Sequence, residues 1–362
     1  MKKIHLLFVM ICLSQQVASW AQAVNAVTVQ PNKLYYFNKG NCNIIEFQQI
    51  SNLLMGFHYV TYTDRRGDVM VCYEGEKTRL TQGETNIIMT NNHLVYQLAS
   101  VLRVFDRGES TILSSFVSGF AVGDSIVMFQ DKIGGNLKYY YRGNIVEFSQ
   151  VVGDYMFDPG AIGDNLFAFR ETGGNYKAFY QNQYYNLTAT NQDITFSAGM
   201  NMIAFNDYAN YSFAVFDHGE VLDLENQYAK QYKAGHDFVY YQDNSGVNKV
   251  YYNNEIQELG YELQEIAVYD SLIFFKEADY AKVWYQGEVF TIYNDIVKNY
   301  QVSGGSIAYM NSSNGVNALI RGVKTEITRQ KVQSFTLNGN TVSLVFTPSS
   351  FAVWWNGKRF NY

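Results

Sequence analysis

A turn residue, Gly or Asn, follows a short β-rich run ten times along this 362-residue chain, at intervals of 33 to 39 residues. The ten turn positions are Gly40, Gly75, Gly108, Gly143, Asn182, Gly219, Asn254, Gly287, Gly322 and Gly357. Five positions after each turn stands an apolar residue or a tyrosine: Ile45, Leu80, Leu113, Phe148, Leu187, Leu224, Leu259, Ile292, Ile327 and Tyr362. Self-similarity at a fixed period indicates a repeat architecture, so one unit of about 35 residues is expected to recur along the chain.

Each repeat has the pattern of a β-hairpin preceded by further strands. The turn residue supplies a positive φ between two runs in which apolar and polar residues alternate. A third run lies about 16 residues upstream of the turn, as in Ser125–Phe129, and a weaker fourth run precedes it, as in Val117–Val122. Helical repeats of similar length require a 3.6-residue period, whereas these runs alternate and are rich in aromatic residues. The sequence therefore predicts an all-β chain of four-stranded repeats.

Four antiparallel strands in every repeat resemble the blades of β-propeller proteins, and the resemblance covers residues 25–362. It implies blades that stack face to face around a ring, so that each sheet buries its apolar faces. The first copy has room for three strands at most, which predicts a single large propeller of about nine to ten blades. An open arc of β-repeats is the structural alternative. The chain has no WD dipeptide, kelch double glycine or sialidase box, so the resemblance indicates no particular subfamily.

The N-terminus has the features of a secretory signal peptide. Lys2 and Lys3 precede an apolar run from Ile4 to Leu13, and Ala21-Gln22-Ala23 fits a signal-peptidase site. We therefore predict a cleaved signal over residues 1–23, a propeller domain over residues 24–362, and export by a bacterium. No other apolar run reaches the roughly 18 residues that a spanning helix needs, so direct membrane insertion is not expected.

Charge and cysteine content restrict the partners. Without Lys2 and Lys3 the chain has 25 basic and 33 acidic residues, a net charge near −8. This balance argues against nucleic acid as a partner, because nucleic-acid binding requires a basic face. Cys42 and Cys72 are the only cysteines after the signal, and an oxidising compartment permits either a disulfide between them or two buried thiols.

No catalytic or metal-binding motif stands out from the repeat, and no cofactor is predicted. The spacing of the four histidines after the signal (His58, His93, His218 and His236) suits no helical zinc site, so we interpret them as surface or turn residues. Acids recur after the third run, at Asp64, Asp131, Glu171, Asp207, Asp243 and Glu277. Lysines begin the following strand, at Lys138, Lys177, Lys249 and Lys282, and predict cross-strand ion pairs rather than a ring of cation ligands.

These features favour a non-catalytic protein-binding or scaffolding propeller of the bacterial envelope. We expect it in the periplasm, monomeric by itself, with a protein partner such as an outer-membrane complex; secretion outside the cell is the alternative location. The candidate partner-binding residues lie in irregular loops, where function concentrates: Arg65, Arg66, Asp154, Tyr155, Asp158, Tyr208 and Tyr211. The alternative function is a glycan-binding or glycan-cleaving propeller, which a central cluster of two or three carboxylates with exposed aromatic residues would support.

Overall fold

The computed structural model describes residues 23–29, 32–83, 85–148, 158–171, 173–293 and 299–362, and these residues form ten antiparallel sheets. Each sheet is one blade, built from strands that are consecutive in the chain. Blade 1 comprises β1 (Asn25–Val29), β2 (Lys33–Asn38) and β3 (Asn41–Glu46), and blade 2 comprises β4 (Ser51–Met55), β5 (Tyr59–Thr63), β6 (Asp68–Tyr73) and β7 (Glu76–Gln82). Blade 3 comprises β8 (Asn86–Met89), β9 (Leu94–Leu98), β10 (Val101–Asp106) and β11 (Glu109–Ser114), and blade 4 comprises β12 (Val117–Val122), β13 (Ile126–Asp131), β14 (Leu137–Tyr141) and β15 (Asn144–Phe148). Blade 5 comprises β16 (Leu166–Arg170), β17 (Asn175–Tyr180) and β18 (Gln183–Ala189).

The second half of the ring repeats the same plan. Blade 6 comprises β19 (Phe196–Ala198), β20 (Met202–Asp207), β21 (Ser212–Asp217) and β22 (Glu220–Glu225), and blade 7 comprises β23 (Gln231–Ala234), β24 (Phe238–Gln242), β25 (Asn248–Tyr252) and β26 (Glu255–Gly260). Blade 8 comprises β27 (Gln264–Val268), β28 (Ile273–Glu277), β29 (Tyr280–Tyr285) and β30 (Glu288–Tyr293), and blade 9 comprises β31 (Tyr300–Ser303), β32 (Ser306–Met310), β33 (Val316–Ile320) and β34 (Val323–Thr328). Blade 10 comprises β35 (Ser334–Asn338), β36 (Thr341–Thr347), β37 (Ser350–Trp355) and β38 (Lys358–Asn361). We name the strands of a complete blade A to D in chain order. By the position of the hairpin turn, blades 1 and 5 show strands B to D among the described residues. A short 3-10 helix, Pro159–Ala161, precedes strand B of blade 5.

The C–D hairpins confirm the turn prediction. All ten predicted turn residues join strands C and D, with φ from 61° at Asn254 to 112° at Gly219. The residue before each of them also has a positive φ, between 48° and 51°. Two successive residues with positive φ define a type I′ turn, whose twist matches that of the flanking strands. The recurrence of glycine at these sites therefore has a direct backbone cause.

A β-bulge explains the recurring apolar residue five positions after the turn. In blade 2, Val69 pairs with Thr81 and Met70 pairs with Arg79, so Leu80 is the extra residue between them. The same register shift at the same position occurs in eight of the ten C–D pairs. The extra residue of a bulge leaves the ladder and re-aims its side chain. Four of these bulge residues are buried: Leu113, Leu187, Ile292 and Ile327.

The hydrophobic core lies between neighbouring blades. One cluster, for example, joins Tyr176 and Tyr180 of blade 5 to Phe205 and Phe216 of blade 6. Strands B and C provide most of the buried side chains, whereas strand D is largely exposed. Because a single four-stranded sheet cannot bury both of its faces, the blades depend on one another for stability.

The ring is closed, so the open-arc alternative is wrong. Phe37 of blade 1 packs against Phe360 of blade 10, with ring centroids 5.6 Å apart. Asn25 Nδ2 donates a hydrogen bond to the carbonyl oxygen of Thr341 at 3.3 Å. Asn338 Nδ2 donates a hydrogen bond to the carbonyl oxygen of Val24 at 2.7 Å. We call this junction of blades 1 and 10 the seam. Among the described residues, no strand of blade 1 pairs with a strand of blade 10, so side chains make the closure.

The ion pairs predicted between strands B and C are confirmed. Lys138 Nζ lies 2.7 Å from Asp131 Oδ2, and Lys177 Nζ lies 2.8 Å from Glu171 Oε1. Equivalent pairs join Lys249 to Asp243 and Lys282 to Glu277. Asp64 and Asp207 instead hold their own loops, through hydrogen bonds from the backbone nitrogens of Arg66 and Ala209. These acids are structural residues of the repeat.

Both cysteines are free thiols, so the disulfide alternative is wrong. Cys72 is fully buried in strand C of blade 2, and burial raises the pKa of its thiol to about 11. Cys42 is half-buried in strand D of blade 1, and burial likewise raises the pKa of its thiol to about 11. The structure therefore agrees with the other alternative from the sequence, in which the two cysteines are packed as thiols.

Candidate functional site

The ring has two different faces. Because the strands of a blade are antiparallel, the A–B and C–D turns lie on one face, which we call the turn face. The B–C loops and the connections between blades lie on the opposite face, which we call the loop face. The described candidate residues from the sequence all lie on the loop face, as their positions in the repeat predict.

Arg65 and Arg66 form the exposed tip of the B–C loop of blade 2. The loop is held by Asp64, whose Oδ1 accepts hydrogen bonds from the backbone nitrogens of Arg66 at 2.8 Å and Asp68 at 2.9 Å. Both guanidinium groups therefore extend from a fixed turn into solvent.

Three tyrosines form an aromatic cluster at blade 6. Tyr208 packs edge-on against Tyr228 with ring centroids 5.3 Å apart, and Tyr211 stacks on Tyr228 at 6.4 Å. Tyr211 is 72% exposed, the most exposed large apolar side chain among the described residues. We call Tyr208, Tyr211 and Tyr228 the tyrosine cluster; Tyr228 was not among the predicted residues.

Asp158 has a structural role. Its Oδ1 accepts a hydrogen bond from the backbone nitrogen of Gly160 at 2.9 Å and thereby caps the 3-10 helix Pro159–Ala161. Asp154 and Tyr155, the other candidates in this connection, lie outside the described residues.

The predicted loop residues do not form one site. Arg65 and Arg66 belong to blade 2, whereas Tyr208 and Tyr211 belong to blade 6. At least three blades separate the two groups in either direction around the ring. They are therefore two separate positions on one face, which the order of repeats in the sequence does not reveal.

Exposed apolar side chains concentrate on the loop face. Among the described residues, six large apolar side chains are at least half exposed: Phe47, Phe116, Ile133, Tyr211, Tyr261 and Val323. All of them except Val323, which begins a strand D next to its C–D turn, lie in B–C loops or in connections between blades. Exposed apolar groups of this kind commonly mark surfaces that bind other molecules.

The turn face has a central cavity that the sequence analysis did not predict. The A–B turns of blades 2 to 8 line a space of about 350 Å³ around the ring axis. Successive turns hydrogen-bond to each other through their backbones, as from Asp164 N to Gly199 O at 3.0 Å and from Met200 N to Gly235 O at 3.1 Å. A Cβ atom on Gly163 would lie 2.9 Å from the backbone nitrogen of Gly199. Glycine is required here because neighbouring backbones touch.

Three carboxyl groups and a histidine line this cavity. Asp164 contacts His236 through Oδ2 and Nε2, and Asp124 and Asp270 lie on the same wall. Burial, with the charge of Asp164, raises the pKa of Asp124 to about 6. Burial alone would lower the pKa of His236, but its hydrogen bond to Asp164 and the nearby charges of Asp270 and Asp124 raise that pKa above its usual value. The cavity therefore holds a carboxyl group whose pKa is raised to about 6, together with the hydrogen-bonded pair of Asp164 and His236.

A signal for this cavity is present in the sequence. A glycine precedes strand B at Gly123, Gly163, Gly199 and Gly235, and an acid or histidine follows three of these glycines. The alternating pattern predicts the strands but not these A–B turns. Asp124, Asp164 and Asp270 form a central group of carboxylates, which is one of the two features that would support the glycan alternative.

The histidines differ in environment: His93 lies in an A–B turn, as one of the two interpretations expects, but it is not on the surface. Its side chain is 2% exposed, because it precedes a strand B that is buried between blades. His218 lies exposed in a C–D turn, as expected. Within the ranges that the structure describes, no three His, Cys, Asp or Glu side chains are placed to share a metal ion. No helix in those ranges is long and apolar enough to cross a membrane.

The ten sheets, their strand order and the closed ring define a ten-bladed β-propeller. A family model described as the 10-bladed beta propeller domain matches residues 18–360, and the chain belongs to this family. No curated protein sequence matches the chain significantly.

Several solved structures are similar at low sequence identity. The computationally designed Ika8 protein is 13% identical, with 84% of this chain and 96% of that chain covered and a TM-score of 0.33. Prp20p from Saccharomyces cerevisiae is 9% identical, with coverages of 56% and 72% and a TM-score of 0.34. Hsv2p from Kluyveromyces lactis is 11% identical, with coverages of 65% and 92% and a TM-score of 0.31. Nothing about the function of this chain follows from these similarities.

Proposed function

We propose that this protein is a non-catalytic scaffolding propeller of a bacterial envelope, which binds a protein partner through its loop face. The tyrosine cluster carries the proposal. It combines a 72% exposed ring, Tyr211, with a second ring, Tyr228, that stacks behind it. Large exposed rings on a rigid support are the side chains that most often dominate the energetics of protein interfaces.

The surroundings of the cluster support the same proposal. Tyr208 packs against the core cluster of blades 5 and 6, so the aromatic group stands on a rigid base. Little side-chain entropy would be lost on binding, because the rings are already ordered by their mutual contacts. Arg65 and Arg66 offer a second, cationic contact on the same face for a large partner.

A crosslinking experiment tests this docking. A photo-reactive phenylalanine analogue replaces Tyr211 in the purified protein, which is then illuminated with solubilised envelope of the source bacterium. The same analogue replaces Tyr261, which is 65% exposed on the same face between blades 7 and 8, in a matched control. We expect one defined adduct, a component of an outer-membrane complex, at position 211 and little of it at position 261.

The affinity of the identified partner then provides the second measurement. The double substitution Tyr211→Ala and Tyr228→Ala should weaken binding by about 2 kcal/mol or more, as for aromatic hot spots, and should leave folding intact. Tyr261→Ala should leave the affinity unchanged. Undiminished binding by the double variant, or an adduct at position 261 and none at position 211, would exclude the tyrosine cluster as the docking site.

A further inference from the structure

A second pocket lies on the turn face, between blades 2, 3 and 4, and encloses about 290 Å³. Its floor is formed by A–B turn residues, including Asn92 and His93, and its rim by C–D turn residues, including Glu74, Arg107 and Arg142. This volume is at the lower end of small-molecule sites, which span about 300–1,000 Å³. The pocket is large enough for one or two sugar rings.

The walls of this pocket are held rigid by hydrogen bonds between blades. Tyr140 of blade 4 donates its hydroxyl to Asp106 Oδ2 of blade 3 at 2.8 Å. Tyr59 of blade 2 donates to the carbonyl oxygen of Asn92 at 2.9 Å and accepts from the backbone nitrogen of Arg107 at 3.1 Å. The polar groups of the rim are therefore attached to a preformed frame, as small-molecule sites require.

His93 is a buried, uncharged part of the floor. Its side chain is 2% exposed, it lines the pocket, and its Nε2 has no hydrogen-bond partner in the protein. Burial lowers the pKa of His93 to about 4, so the ring is neutral at pH 7.

The charges around the pocket balance. Glu74 and Asp106 contribute two carboxylates, and Arg107 and Arg142 contribute two guanidinium groups. Burial also lowers the pKa of His58, the second histidine of the lining, so that both imidazoles are neutral at pH 7. A balanced site offers no net attraction to an anion or a cation.

We propose that this pocket binds a neutral saccharide of one or two rings. Each sugar hydroxyl donates and accepts at once, so it can bond to carboxylates that only accept and to guanidinium groups that only donate. Glu74 and Asp106 supply the acceptors, and Arg107 and Arg142 supply the donors. The half-buried ring of Tyr73 provides an aromatic wall for the apolar face of the sugar.

The saccharide site is separate from the proposed protein docking, because the two lie on opposite faces of the ring. It is adjacent to the central cavity, since Asn92 Nδ2 donates to Asp124 Oδ2 across their shared wall at 2.7 Å. A saccharide longer than two rings would therefore extend from this pocket toward the ring axis.

The test begins with a glycan array, which presents neutral gluco-, manno- and galacto-oligosaccharides beside uronate-containing oligosaccharides. The purified protein should bind at least one neutral oligosaccharide, and the best of these is then titrated by calorimetry. Glu74→Ala removes an exposed acceptor, and Arg142→Ala removes an exposed donor. Each should weaken binding about tenfold or more, the effect of removing one well-placed polar partner.

The control is Arg321→Ala, because Arg321 occupies the same turn position in blade 9 as Arg107 and Arg142 do in blades 3 and 4. This variant should bind the oligosaccharide as the unmodified protein does. Absence of binding to every neutral oligosaccharide at millimolar concentration would overturn the proposal. So would binding restricted to the uronates, or an affinity unaffected by Arg142→Ala in a folded variant. The crosslinking result at Tyr211 is independent of each of these outcomes.

Discussion

Replacing Gly199 by alanine tests whether the A–B turns hold the blades together. The added Cβ would lie 2.9 Å from the carbonyl carbon of Gly235 and closer still to its oxygen. Nothing flexible is present to move, so the turn of blade 7 must shift as a whole. That shift breaks the hydrogen bonds from Met200 N to Gly235 O and from Asp237 N to Met200 O, which are 3.1 and 3.2 Å long.

The size of the effect follows from these contacts. Two lost hydrogen bonds and the overpacking together should lower the free energy of unfolding by roughly 3–5 kcal/mol. The matched control is Gly143→Ala, where φ is +87° and nothing lies within 4 Å of the added Cβ. Only the left-handed backbone opposes that alanine, at a cost of about 1–2 kcal/mol.

Guanidinium denaturation followed by tryptophan fluorescence measures both variants. Trp284, which is 1% exposed in blade 8, reports the loss of packing. At an unchanged m-value, the midpoint of Gly199→Ala should fall well below that of Gly143→Ala. If Gly199→Ala is as stable as its control, the central turns do not connect the blades in the way described.

Four further results are expected. Gly287→Val should cost about 1–3 kcal/mol, because φ is +86° and a β-branched residue resists it; thermal unfolding measures the loss. Leu187→Ala should cost about 2–4 kcal/mol, since this bulge residue is 6% exposed, whereas Ile145→Ala on an exposed strand D should change the midpoint of denaturation little. Because burial and Asp164 raise the pKa of Asp124 to about 6, its protonated form favours folding at low pH, and this contribution is lost as pH rises through 6. From pH 4 to pH 7.5, the free energy of unfolding of Asp124→Asn should therefore rise relative to that of the unmodified protein, by up to about 3 kcal/mol. If the difference between the two proteins is the same at both pH values, the pKa of Asp124 is not raised. Finally, N-terminal sequencing of the protein from the periplasmic fraction should show cleavage after Ala23, and an intact N-terminus or a cytoplasmic location would contradict the export prediction.

The repeat was predictable because it depends on local backbone chemistry. A type I′ turn demands positive φ twice, so residues such as Gly143 recur wherever a C–D hairpin must form. The apolar residue after each turn was recognised as well, although its cause, a bulge that turns Leu80 out of the ladder, requires the strand register. The B–C ion pairs were predictable for the same reason, because facing residues such as Asp131 and Lys138 lie close together in the chain.

What the sequence did not reveal depends on the closure of the ring. Asp124 and Asp270 lie in blades 4 and 8, and only the curvature of the whole array brings them to one cavity. The number of blades also determines how far Arg65 lies from Tyr208, and a period of 35 residues does not determine that number by itself. The burial of the turn residue His93 was not predicted, because it packs against Tyr140 of the neighbouring blade.

The seam has a consequence for the order of folding. The hydrophobic clusters away from the seam each join two blades that are neighbours in sequence, whereas the hydrogen bond from Asn25 to Thr341 spans 316 residues. Closing such a loop costs conformational entropy before any seam contact can form, and this cost grows only slowly with loop length. Folding is therefore expected to spread from blade to blade as in a linear array, with the joining of the two ends as the final, slow step.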